Sequence, residues 1–137
     1  MTAPLPPYAE FLGLRAEGGL VVMPYAERLL GAPGRLHGGV VAGLLEIAAN
    51  LAAEAACADE KARVKPINVT VDYYRGGAMA DTYAEARVLR AGRRVMNIHA
   101  EAWQSKRSKP IAAATVNLLI VRERAPAETP AETPEAP

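Results

Sequence analysis

The chain has 137 residues, half of them hydrophobic, with a formal net charge of +1 and one cysteine, Cys57. That length fits a single domain with a real core. The near-neutral balance leaves no electrostatic footprint for nucleic acid or an anionic membrane, a lone cysteine excludes an intrachain disulfide, and the composition suits a reducing cytoplasm with no metal or redox cofactor.

Residues 1–7 are rich in proline and lack the basic and apolar regions of a secretory signal. Tyr8 to Leu14 reads as a short helix ended by Gly13, and Leu20-Val21-Val22-Met23 as a first strand. Residues 24–36 hold Pro24, Gly31, Pro33 and Gly34, which predicts mostly loop. A helix is expected from about Gly38 to Ala56. It is the most apolar segment, but Glu46, Asn50 and Glu54 interrupt it, so a membrane span is not expected.

After the helix the period changes to two. Ile67, Val69, Val71 and Tyr73 are predicted to share one face of a strand. Thr82 to Leu89 is a second such strand, with Ala84, Ala86 and Val88 inward, and Ala91-Gly92 marks a tight turn. Val95 to Trp103 aligns Met96, Ile98, Ala100 and Ala102. Beyond a polar turn at Ser105 to Pro110, Ile111 to Val121 aligns Ala112, Ala114, Val116, Leu118 and Ile120. Strands joined by short turns imply an antiparallel sheet. A helix that is apolar nearly all round must be covered on most sides. The expected fold is therefore α+β, a long central helix wrapped by a curved antiparallel sheet of about five strands. The domain is expected over residues 1–124. Residues 125–137 repeat Pro-Ala-Glu-Thr without a large apolar residue, which predicts a disordered tail.

The helix also carries candidate chemistry. His37-Gly38-Gly39 opens it, and two adjacent glycines leave backbone N–H groups approachable. At helical spacing Gly39, Gly43, Glu46, Asn50 and Glu54 form one small and polar stripe on an otherwise apolar rod. The amides and macrodipole at the helix start would stabilise a carbonyl oxygen turning into an oxyanion. Glu46, set in hydrocarbon, would be poorly solvated, and could act as a general base on water or attack a carbonyl directly. Together these parts suggest acyl transfer, most simply hydrolysis. The same pattern also fits a structural glycine turn followed by an acid on an exposed face. His37 reads as a cap of the helix start or as a base. Arg90, Arg93 and Arg94 flank the Gly92 turn, and either hold a phosphate or form a solvated hairpin tip.

The string Leu36-His37-Gly38-Gly39-Val40-Val41-Ala42-Gly43-Leu44-Leu45-Glu46 resembles the signature of hotdog-fold acyl-CoA thioesterases. It is most similar to the phenylacetate-pathway type and the related 4-hydroxybenzoyl-CoA thioesterases. Val69 to Arg75, Glu85 to Arg94 and Ile111 to Thr115 resemble successive strands of that family, so the likeness runs over about residues 8 to 122. The resemblance implies a homodimer with a continuous sheet, often a homotetramer, with active sites at the subunit interface and an acyl-CoA substrate, small or aromatic in its acyl group. It implies that the Gly38 amide polarises the thioester carbonyl and that Glu46 of the opposite subunit supplies the carboxylate, and the double glycine extends the expected oxyanion contact to Gly39. Asn50 would orient water or substrate, and Gly92, Arg90, Arg93 and Arg94 would lie near the nucleotide end of coenzyme A, the only cofactor-like group expected and then as part of the substrate. The chain departs from the family in two places. Gly31 stands where Asn, Gln or Asp is common, and Glu46 where many phenylacetate-type members have Asp. The alternatives are an acyl-CoA-binding sensor without turnover and a hotdog dehydratase or hydratase, whose His/acid motif is not seen here.

Overall fold

The computed structural model describes residues 5–57, 59, 61–122 and 134. Apart from Pro134, the segment 125–137 read as a tail lies outside them. The elements run in the order α1 (Pro7–Leu12), β1 (Arg15–Glu17), β2 (Leu20–Met23), α2 (Gly38–Ala56), β3 (Ala62–Tyr73), β4 (Thr82–Ala91), β5 (Val95–Trp103) and β6 (Ala112–Arg122), with a 3-10 turn at Glu27–Leu29. The strands form one antiparallel sheet in the order β1-β2-β4-β5-β6-β3.

The sheet thus has six strands rather than about five. The addition is β1, three exposed residues that offer no hydrophobic alternation. Its sequence signal is Gly18-Gly19. Both take positive φ, 53° and 90°, and the pair Glu17–Leu20 closes a two-residue hairpin turn. Gly13 ends α1 as expected, in the left-handed conformation with φ 74°.

A second difference lies in β3. Alternation predicts Ile67 on the inner face with Val69 and Val71, yet Ile67 is 54% exposed. The pairing with β6 shifts register between Pro66 and Asn68, which leaves Ile67 unopposed. Such a bulge re-aims the side chain, and Pro66 has no N–H to keep the ladder regular. Tyr73 is also exposed, although it follows the predicted alternation.

α2 packs on the inner face of β3, β4, β5 and β6. The sheet rows nearest the helix start, where Tyr73 bonds to Gly38, are Ala112–Ala102–Ala84 and Ala114–Ala100–Ala86, and toward the other end the rows become Val116–Ile98–Val88 and Leu118–Met96. The buried residues of α2 are likewise both large, as Leu44, Leu45 and Ile47, and small, as Ala48, Ala49 and Ala53. Large and small residues together fill such a layer. α2 is long and apolar enough to cross a membrane by length and composition alone, but here it is the core helix under a sheet. The outer face is polar. Asn117 donates to Asn68 Oδ1 at 2.7 Å and accepts from Asn97, an amide ladder across three strands.

Leu44 is fully buried, whereas Leu89 is exposed. Leu44→Ala is expected to lower unfolding free energy by about 2–5 kcal/mol in urea titration, and Leu89→Ala by no more than about 0.5 kcal/mol.

Candidate functional site

The start of α2 is held by backbone bonds from the loop before it. His37 N–H donates to Leu29 O at 2.9 Å, Gly31 N–H to Arg35 O at 3.0 Å, and Leu36 N–H to Gly77 O at 3.0 Å. His37 is the N-cap, and its Nδ1 accepts the Gly39 N–H at 2.9 Å. The cap, one of the two readings of His37, is thus seen in the structure. It also corrects the expectation for Gly39, whose amide is occupied. The Gly38 amide, first in the helix, has no acceptor among the described residues. Tyr73 Oη donates to Gly38 O at 2.9 Å and ties the end of β3 to the helix start.

Beside Gly38 lies a hollow of about 330 Å³, lined by Leu36, Val41, Tyr73, Tyr74, Arg75 and Ile111 among others. The segment after β3 that walls it is clamped by Gln104, which accepts from the Ala78 N–H and donates to Ala78 O, both at 2.9 Å. Tyr25 N–H adds a bond to Asp81 Oδ1 at 2.8 Å. Tyr73, Tyr74 and Arg75 were not legible as site residues. Their signal was a Tyr-Tyr-Arg-Gly-Gly string directly after an alternating strand, and only the fold carries it to the helix start.

Gly31 packs on His37. A Cβ built there would lie 3.0 Å from His37 Cα, closer than ordinary contact allows. A side chain at this position would need the His37 backbone or ring to give by a few tenths of an ångström.

Further along the stripe, Gly43 is buried beneath the Tyr8 ring of α1. Glu46 is half-buried, and among the described residues no ion pair or hydrogen bond engages its carboxylate. Asn50, one turn on, holds its Oδ1 buried with no donor. An acceptor left so costs roughly 1–3 kcal/mol unless something supplies a hydrogen. Glu54 is exposed.

One protomer does not bring these parts together. Gly38 and Glu46 are separated by eight residues of α2, about 12 Å along the axis. The Arg90, Gly92, Arg93 and Arg94 turn is exposed at the opposite end of the sheet. Along β6, the row at Ala112 beside Tyr73 and the row at Leu119 beside Val95 are about 23 Å apart. A smaller hollow of about 110 Å³ lies on the outer sheet face, where Glu85 pairs with Arg107, and His99 Nε2 lies 3.0 Å from Glu101 Oε1. These two pairs occupy most of its charged groups, and it is remote from the Gly38 amide. Among the described residues no group of three or more His, Cys, Asp or Glu is placed to hold a metal ion.

A family model described as thioesterase superfamily matches residues 33–111, more than half of the chain. Among solved structures, a thioesterase family protein from Silicibacter pomeroyi shares 26% identity and a TM-score of 0.78, over 86% of this chain and 91% of that one. A phenylacetic acid degradation-related protein from Ralstonia eutropha shares 25% identity and a TM-score of 0.74, over 85% and 92% of the two chains. A Bacillus halodurans protein crystallised with CoA has a TM-score of 0.76 at 16% identity, over 83% and 75%, a likeness of fold. No curated protein matches the chain.

The capping bond yields a stability test. His37→Ala is expected to destabilise the protein by about 0.5–2 kcal/mol in chemical denaturation, and His37→Asn to restore most of that loss.

Proposed function

The chain belongs to the thioesterase superfamily, and we propose that it hydrolyses small or aromatic acyl-CoA thioesters to the free acid and coenzyme A in sites shared between two copies. The observation that carries this reading is the Gly38 amide at the start of α2, without an acceptor among the described residues and at an open hollow that Gly38 helps to line. A thioester carbonyl there would accept this N–H, and the bond would strengthen as the oxygen becomes an oxyanion.

The carboxylate must come from elsewhere, because Glu46 of the same chain lies about two turns down the helix. Glu46 of a second copy would supply it. Its carboxylate would take a proton from water as the water oxygen bonds to the carbonyl carbon. The tetrahedral intermediate would then collapse with cleavage of the C–S bond, and the thiolate of coenzyme A would leave and take up a proton. The donorless Asn50 Oδ1, one turn beyond Glu46, favours activation of water over direct attack by the carboxylate, since it offers the water a second anchor.

Pairing of two copies is supported by β3. It is twelve residues long and stands at the end of the strand order, so among the described residues one of its edges has no neighbouring strand. Long open edges are rarely left bare. A second copy adding there would continue the sheet. The Arg90, Arg93 and Arg94 turn, remote from its own helix start, would then serve coenzyme A phosphates only across the subunit boundary. That the Bacillus halodurans protein was crystallised with CoA shows that a chain of this fold can hold the ligand.

Gly31 favours one other reading, a binder that senses acyl-CoA without turnover. Thiol release across a panel of acyl-CoA esters separates the two. Hydrolysis is expected, with kcat reduced about 100-fold or more in Glu46→Gln and about tenfold in Asn50→Ala, a loss of about 1.4 kcal/mol. Tight binding with no thiol released would establish the sensor, and full activity in Glu46→Gln would remove the mechanism.

A further inference from the structure

Tyr8 is seated in a way that its own burial does not explain. A Cβ at Gly43 would lie 2.7 Å from Tyr8 Cε1 and 3.0 Å from its hydroxyl, so the ring lies directly on the helix backbone and any larger residue there would make it shift. A glycine within a helix is less favourable than alanine. That cost is accepted for a ring that stays 48% exposed. Phe11, one turn along α1, is 61% exposed and stacks with Tyr8 at a centroid distance of 6.3 Å and an interplanar angle of 11°. The other side of α1 is fully committed to the core through Ala9 and Leu12. The short helix therefore presents two parallel rings outward from a buried base.

The position of this plate gives it meaning. Gly43 belongs to the stripe that continues to Glu46 at i+3, so neighbouring side chains there are about 5–6 Å apart. A thioester carbonyl held against Glu46 leaves its acyl group two ways along the stripe, toward Asn50 or toward Gly43. On the Gly43 side it meets Tyr8, with Phe11 behind. We propose that Tyr8, seated on Gly43 and backed by Phe11, is the specificity wall for the acyl group, an apolar plate that favours flat acyl groups over small ones. This rests on the thioesterase reading above and adds to it a residue outside the helix motif.

The worth of ring contacts beyond their area sets the expected size of the effect at up to about tenfold in selectivity. The readout is the ratio of kcat/KM for benzoyl-CoA to that for acetyl-CoA, with thermal midpoint and native mass recorded for each variant. Tyr8→Ala is expected to lower the ratio about tenfold, and Tyr8→Phe to retain it. Gly43→Ala keeps the ring but expels it from its seat, and is expected to lower the ratio as Tyr8→Ala does. An unchanged ratio in both Tyr8→Ala and Gly43→Ala overturns the proposal while leaving the hydrolase intact. So does a loss equal for both substrates, and so does a change in native mass with the ratio preserved, which would assign the plate to subunit contact. Calorimetric affinities for non-hydrolysable benzoyl and acetyl thioethers of coenzyme A separate the two claims if the wild type releases no thiol. A ratio of affinities that falls in the same variants supports the wall though hydrolysis has failed, and a constant ratio overturns it.

Discussion

The burial of α2 against the inner face of the sheet is the constraint from which the rest follows. A rod this apolar has to be covered, and the inner face of the sheet covers it. Gly38 emerges from this packing at the corner of the sheet where β3 ends, beside Tyr73. Tyr73 and Leu36 secure that corner through the Gly38 carbonyl and Gly77. The position of the amide is thus a consequence of core packing, and a chemical group is placed by residues that take no part in chemistry.

The same rigidity separates Gly38 from Glu46. A straight helix cannot fold back to bring its first turn against its third, so a carbonyl held at the start and a carboxylate from mid-helix can meet only through another chain. The free edge of β3 and the remote arginine turn fit that arrangement. In contrast, many polar groups of the outer sheet face are paired within it, through the asparagine ladder and the Glu85–Arg107 and His99–Glu101 pairs.

Much of this was legible in the sequence. The bounds of α2 followed from its period and from the glycines that open it, and β4, β5 and β6 from clean alternation. What escaped has physical reasons in each case. β1 is too short to alternate. The bulge at Ile67 is a property of the pairing with β6, which no single strand contains. For the candidate site, the stripe through Glu46 and Asn50 could be read, because helical spacing places it. The fate of the Gly39 amide could not, since it depends on the rotamer of His37. The seating of Tyr8 on Gly43 joins residues 35 positions apart and is invisible to any local pattern. Tyr74 and Arg75 reach the helix start only because β3 ends there.

The capture of the Gly39 N–H by His37 has a chemical consequence of its own. It leaves one backbone donor, where a two-donor hole would divide the developing charge, and a single donor is worth about 2.7–4 kcal/mol in comparable sites. Under the proposed chemistry, the remaining barrier has to be lowered by the substrate itself. A thiolate departs readily and sulfur conjugates weakly with its acyl carbonyl, so a sulfur ester starts closer to cleavage than an oxygen ester or a carboxamide. On that proposal, a corner with one amide to offer would be confined to acyl groups already activated by sulfur, and its chemical selectivity would be set by how little help it gives.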